Sequence, residues 1–168
     1  MSSRGASMSS SSSSSAPHWK YQVFLSFRGV DTRKGFTDHL HAALKRKGIS
    51  TFRDDEELER GEPISRELLK AIEESRFAFV IFSKNYASSA WCLDELANIV
   101  RCMTETGLTI WPIFYDVNPS DVREQKGTFE IAFNEHEKKF KENIEKVEMW
   151  RAALIEVANL SGWHLQER

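Results

Sequence analysis

Apolar residues along this chain fall into two alternating patterns. Short apolar-rich segments that read as buried or half-buried strands occur at 21–27, 49–52, 77–82 and 108–115, and stretches between them repeat at helical spacing. The run Phe77-Ala78-Phe79-Val80-Ile81-Phe82 has no polar interruption, as in a strand covered on both faces of a parallel sheet. Phe36, Leu40, Ala43 and Leu44 recur every three to four positions, as do Ile64, Leu68, Leu69 and Ile72, and then Leu93, Leu96, Ile99 and Val100. Two more helical patterns run over 128–139 and 144–160, and Leu160-Ser161-Gly162-Trp163-His164-Leu165 reads as a helix stop followed by a short fifth strand. Regular alternation of strand and helix predicts an α/β fold with a doubly wound parallel sheet. Pro112 fits the fourth strand poorly, because it lacks a ladder donor, and points to an edge-proximal or irregular position. The residues from Asp116 to Asp121 are rich in turn formers and predict a turn.

In an open α/β sheet, ligands sit beyond the carboxyl ends of the strands, where strand order reverses. Three loops meet there in this reading: 27–33, 53–62 and 83–91. In the last, Ser83-Lys84-Asn85 breaks the apolar run, and Ser88 or Ser89 is placed to cap the following helix by accepting from an orphaned backbone N–H. Trp91 and Glu95 stand four residues apart and so project from one helical face near its start. That geometry points Glu95 toward the cleft above the sheet edge. Spacing alone favours a plainer alternative, with Glu95 a solvated helix residue and Trp91 a core anchor.

Composition narrows the function classes. A chain of 168 residues suits one domain large enough to fold without metal or disulfide support. A net charge of −2 leaves no electrostatic footprint for nucleic acid or for an acidic membrane surface. Cys92 and Cys102 fall in one predicted helix, where ten residues span about 15 Å, beyond disulfide reach. They read as free thiols in a reducing compartment. No run approaches the roughly 20 apolar residues of a membrane helix. Residues 1–17 are dominated by serine and read as a disordered leader, since Arg4 is their one basic residue and no amphipathic period supports a transit peptide. His18, His41, His136 and His164 show no metal-ligand spacing with the cysteines, so no metal is expected. The Lys and Glu run over 135–148 reads as a solvated helical face. There is no GxxxxGK[ST] phosphate loop and no internal repeat.

Seven strings, in order, carry a resemblance. They are Phe24-Leu25-Ser26-Phe27-Arg28-Gly29 with Asp31-Thr32-Arg33; Thr51-Phe52-Arg53-Asp54; Leu58-Glu59-Arg60-Gly61; Ser83-Lys84-Asn85-Tyr86; Trp91-Cys92-Leu93-Asp94-Glu95-Leu96; Pro112 to Arg123; and Leu160-Ser161-Gly162-Trp163-His164. Together they resemble the plant Toll/interleukin-1 receptor (TIR) domain found at the N-terminus of nucleotide-binding, leucine-rich-repeat disease-resistance proteins. The resemblance implies a flavodoxin-like sheet of five parallel strands with helices on both faces, over residues 18–168. It implies a TIR-only protein or a receptor fragment. The family continues past the Gly-Trp-His strand into a last helix beside the first, and the chain is expected to lack it.

The resemblance also implies an activity: cleavage of NAD⁺ at the nicotinamide glycosidic bond, with Glu95 as the catalytic residue and NAD⁺ as substrate rather than cofactor. Arg28 and Gly29 are then assigned to pyrophosphate or ribose, Trp91 to a base or ribose face, Ser89 to a ribose hydroxyl, and Arg60 to the substrate as well. Loop 54–62, with six acids and Arg60, is expected to close over the site and to dock on a neighbouring copy. Asp38 and His39 match positions through which the family self-associates. Partners are then NAD⁺, a second copy and other TIR domains, with no membrane and no nucleic acid. The expected compartment is the cytoplasm, with the nucleus second. A non-catalytic adaptor that only recruits other TIR domains is the alternative function. A nucleic-acid-dependent cyclic-nucleotide synthetase ranks last for want of a Lys and Arg cluster.

Overall fold

The computed structural model describes residues 19–54 and 64–166. The expected Ser-rich leader and Arg60 lie outside the described residues. Five parallel strands form one sheet in the order β2-β1-β3-β4-β5, with β1 at Tyr21–Ser26, β2 at Thr51–Arg53, β3 at Ser75–Phe82, β4 at Thr109–Tyr115 and β5 at Trp163–Leu165. Strand order reverses between β1 and β3, so the carboxyl ends of these two strands flank the switch point. The register pairs Ser26 with Val80 at that edge.

The two faces of the sheet are covered unequally. One buries Phe24, Ala78, Val80, Phe82, Ile110 and Phe114. Four helices cover it: α3 (Arg66–Glu73), α4 (Ala90–Glu105), α6 (Thr128–Lys139) and α7 (Ile144–Ala158), joined by Val122 of a short α5 (Pro119–Glu124). The other face buries Val23, Leu25, Phe27, Ile81 and Ile113, with Phe36, Leu40 and Leu44 of α2 (Phe36–Arg46) against it. Opposite faces alternate residue by residue along β1, as the period of a strand requires.

Element ends follow local chemistry. Ser65 caps α3 by accepting from the Leu68 N–H at 3.1 Å, so that helix starts two residues after the apolar pattern does. The turn expected after β4 is partly helical: Asn118 accepts from the Ser120 N–H at 2.9 Å and Pro119 occupies the first helical position, giving α5. A further short helix, α1 (Gly29–Thr32), follows β1 directly. Pro112 sits on β4 just before pairing with β5 begins at Ile113, so that part of the strand has β3 on one side and no strand on the other. Gly162 packs so closely on it that an added Cβ would stand 2.0 Å from the Pro112 carbonyl oxygen.

Candidate functional site at the carboxyl edge of the sheet

Glu95 lies in the second turn of α4 and is only 3% exposed. It is neither solvated nor alone. Its Oε1 accepts from Ser26 Oγ at 2.5 Å, where Ser26 is the last residue of β1 and fully buried. Ser26 Oγ also lies 2.7 Å from the Tyr86 hydroxyl, which is 3.3 Å from the Cys92 carbonyl oxygen. Tyr86 belongs to the 3₁₀ turn Tyr86–Ser88 between β3 and α4. A buried carboxylate needs such donors, because desolvation without them costs several kcal/mol, on the order of 3 or more. Placing Glu95 at this edge depends on the start of α4, which Ser89 sets by accepting from the Cys92 N–H at 3.1 Å.

Further bonds tie the three edge loops to one another. Asp31 in α1 accepts from Ser83 Oγ at 2.5 Å, from the Asn85 N–H at 2.9 Å and from Asn85 Nδ2 at 2.9 Å. The loop after β1 is thereby clasped to the loop after β3. Cys92 Sγ donates to the Phe27 carbonyl at 3.5 Å, joining α4 to the loop that follows β1. Trp91 Nε1 donates to Asp54 Oδ2 at 2.9 Å, joining α4 to the start of the acidic loop. Beside these ties a cleft of 270 Å³ is lined by Val30, Asp31, Ser83, Lys84, Tyr115 and Asp116.

The site residues expected from sequence distribute as follows. Glu95, Trp91, Ser89, Arg28 and Gly29 all stand on elements at the carboxyl edge. Arg28 is half-buried in the cap position before α1, and Gly29 is the buried first residue of that helix. Ser89 is buried and engaged as a helix cap. Trp91 is 7% exposed and packed in the larger core, so its ring is held within the fold while its N–H faces Asp54. Asp38 and His39 are exposed near the start of α2, and Asp38 pairs at 2.5 Å with Arg53, the last residue of β2. Ser26, Tyr86 and Asp31 were not singled out by sequence. One signal was present: Ser26 is a lone hydroxyl in an otherwise apolar strand end.

A second buried polar group supports the same region from behind. His136 of α6 lies 2.8 Å from the Ala87 carbonyl oxygen through Nε2, and its ring packs edge-on against Trp150 at 5.1 Å. Since a carbonyl only accepts, Nε2 carries the proton. Burial pushes the His136 imidazole below the usual histidine range, outweighing the opposing bond to Ala87. Among the described residues, no group of three or more His, Cys, Asp or Glu is placed to hold a metal, and no helix is long and apolar enough to cross a membrane.

Comparison with known proteins is decisive for the family. The TIR domain model matches residues 20–168. The chain belongs to the TIR domain family. This TIR domain is 59% identical over 151 residues to TMV resistance protein N of Nicotiana glutinosa, covering 90% of the chain and 13% of that protein. It is 57% identical over 164 residues to disease resistance protein RPV1 of Vitis rotundifolia, covering 95% of the chain and 11% of that protein. It thus spans about an eighth of the length of these curated relatives. Among solved structures it is similar to the TIR domains of the activated Roq1 resistosome directly recognizing the pathogen effector XopQ, with a TM-score of 0.80, 55% identity, and coverage of 86% of this chain and 87% of that one. The five-stranded parallel sheet flanked by helices is the TIR fold.

Proposed function

We propose that this TIR domain acts in plant immune signalling by cleaving NAD⁺ to nicotinamide and ADP-ribose or a cyclised relative, with Glu95 as the catalytic residue. The observation that carries this reading is a buried carboxylate, 3% exposed and anchored by Ser26, at the switch point of an α/β sheet. The chemistry suits a lone carboxylate. Most glycosidases use two, one of them to protonate a poor leaving group. Nicotinamide leaves NAD⁺ as a neutral amine with the bonding electron pair, so no general acid is needed. Glu95 orients the ribose, stabilises positive charge on the oxocarbenium-like centre and takes a proton from the incoming water. Arg28 offers a fixed cation for the pyrophosphate, and Gly29 lets backbone come close to it. Trp91, Ser89 and Arg60 complete the substrate set in this proposal.

Self-association completes the reading. The TIR domains of Roq1 are described in an activated resistosome, and we carry that behaviour to this chain as a condition for turnover. Asp38 and His39 are the exposed residues on α2 proposed to take part. The proposed place of action is the cytoplasm, with the nucleus as a second compartment.

The test is nicotinamide release from NAD⁺ by the purified protein across a concentration series, beside Glu95→Ala verified as folded by circular dichroism. Activity that rises with concentration in the parent and vanishes in the variant supports the proposal. Equal activity in both, or equal absence in the presence of oligomers, sinks it. One observation favours the adaptor alternative: with Glu95 and Trp91 at 3% and 7% exposure, the monomer's site is closed. Inactive oligomers that still recruit a second TIR domain would establish that function instead.

A further inference from the structure

Two hydroxyls stand in series behind Glu95. Ser26 Oγ is 2.5 Å from Glu95 Oε1 and 2.7 Å from the Tyr86 hydroxyl, which is 3.3 Å from the Cys92 carbonyl oxygen. Each hydroxyl has one proton to donate, so the state of Glu95 sets the direction of the whole chain. When Glu95 is ionised it only accepts: Ser26 donates to Oε1 and Tyr86 donates to Ser26. When Oε1 is protonated the order reverses, with Glu95 donating to Ser26, Ser26 to Tyr86 and Tyr86 to the Cys92 carbonyl. Both states are served without displacing a heavy atom. Ser26 and Tyr86 are fully buried, so water does not substitute for either hydroxyl.

We propose that Ser26 and Tyr86 are positioning residues for the Glu95 carboxyl, holding it by one oxygen and following its change of protonation during catalysis. The reaction this serves is the NAD⁺ cleavage proposed above, and the inference rests on that reading. In it, water oxygen bonds to the ribose C1′ as the C1′–N bond breaks, the electron pair leaves with nicotinamide, and the water proton passes to Glu95 and then to solvent. A carboxylate that must gain and lose a proton within a closed site benefits from partners that rotate hydroxyls rather than side chains. The length of the series matters too: Tyr86 acts on Glu95 only through Ser26.

The experiment compares Tyr86→Phe, Ser26→Cys and Ser26→Ala with the parent, all as the full chain. Two readouts are used: kcat and KM for nicotinamide release against pH, and titration of the Glu95 carboxyl by carbon NMR of glutamate-labelled protein, assigned with Glu95→Gln. Tyr86→Phe keeps the ring that packs edge-on against Phe82 at 5.2 Å and removes only the hydroxyl. We expect it to lower kcat about tenfold with KM nearly unchanged, and to move both the acid limb and the Glu95 titration to higher pH, because the ionised form has lost donor strength. Ser26→Ala lowers kcat on the order of 100-fold and shifts both further, with Ser26→Cys between them as a weaker donor of similar size. Ser75→Ala is the control, removing a buried serine bond to the Ala71 carbonyl at 2.7 Å. It is expected to leave both profiles in place. The other ionisable groups described at this edge, Arg28, Asp31, Asp54, Lys84, Cys92, Tyr115 and Asp116, are the same in every variant. Folded Tyr86→Phe and Ser26→Ala proteins with the parent's titration and kcat overturn the proposal, as does an equal loss in Ser75→Ala. If the parent releases no nicotinamide, the NAD⁺ reading fails separately, and the carboxyl titration still decides whether these hydroxyls govern Glu95.

Discussion

Replacing Asp31 tests whether the clasp between the first and third strand loops is a stabilising feature of the fold. Its carboxylate accepts three bonds, from Ser83 Oγ, the Asn85 N–H and Asn85 Nδ2, at 2.5, 2.9 and 2.9 Å. Hydrogen bonds to a charged group contribute about 1.5–3 kcal/mol each, but three on one part-buried residue share solvent access and are not additive. Asp31→Ala is therefore expected to cost about 3 kcal/mol, which lowers the melting temperature by roughly 6–12 °C in a domain of this size. Asp31→Asn separates the bonds from the charge. Placed where Oδ2 lies, its carbonyl oxygen still accepts from Ser83 and the Asn85 N–H, while its amide nitrogen meets the Asn85 amide donor. Rotation of the Asn85 amide relieves that conflict, so the cost falls to about 1 kcal/mol. The pair Asp31→Asn with Asn85→Asp restores a donor to an acceptor and recovers most of the loss. Differential scanning calorimetry at neutral pH reads all four proteins. Equal melting temperatures for the Ala and Asn variants, or an Ala variant within about 2 °C of the parent, refute the reasoning.

Three further outcomes are expected. Gly162→Ala brings a Cβ to 2.0 Å from the Pro112 carbonyl oxygen, a backbone atom that cannot turn aside; we expect a loss of about 2–3 kcal/mol and faster amide exchange confined to β5 and its β4 partners, and uniform exchange across the sheet would contradict it. Burial holds the His136 imidazole below the usual histidine range, so the unfolded chain binds the extra proton first. Stability is then full above about pH 6.5 and declines as pH falls through the folded value, and His136→Gln should narrow the difference in melting temperature between pH 7.5 and pH 5.5. Cys92 and Cys102 are buried and burial pushes the Cys102 thiol up, so a thiol reagent should modify both only after denaturation.

The architecture was legible because each strand and helix announced itself by its own period. The run from Phe77 to Phe82 lies within β3, and the residues spaced from Leu93 to Val100 lie within α4. Where the reading slipped, one residue type served two purposes. Asn118, Pro119 and Ser120 favour turns, and the same asparagine and proline are the preferred cap and first residue of a helix. Nothing in that hexapeptide separates a turn from a helix start; the burial of Val122 against the larger core does. The position of Glu95 near a helix start was legible from the capping serine, its role rested on the resemblance, and its partner was not legible at all. Ser26 lies 69 positions earlier, and only the parallel register of β1 beside β3 brings the two together.

The cross-ties also bear on how the dinucleotide of the proposed reaction would reach a carboxylate that is 3% exposed. Among the ties described at this edge, the Asp31 clasp has three bonds, the Ser26 and Tyr86 series is fully buried, and the Cys92 bond lies within the core. The Trp91 bond to Asp54 is different: it is part-buried and reaches the last described residue before 55–63. If that bond must break for the carboxylate to be reached, it favours the buried arrangement by about 1.5–3 kcal/mol, a factor of roughly 10 to 100. That is small enough for contacts with a second copy to reverse. On this reasoning, turnover should depend on concentration through the fraction of open sites, which raises kcat per chain as copies associate. In the NAD⁺ reaction proposed above, binding energy from a neighbour, rather than from substrate, would then set when the carboxylate is exposed.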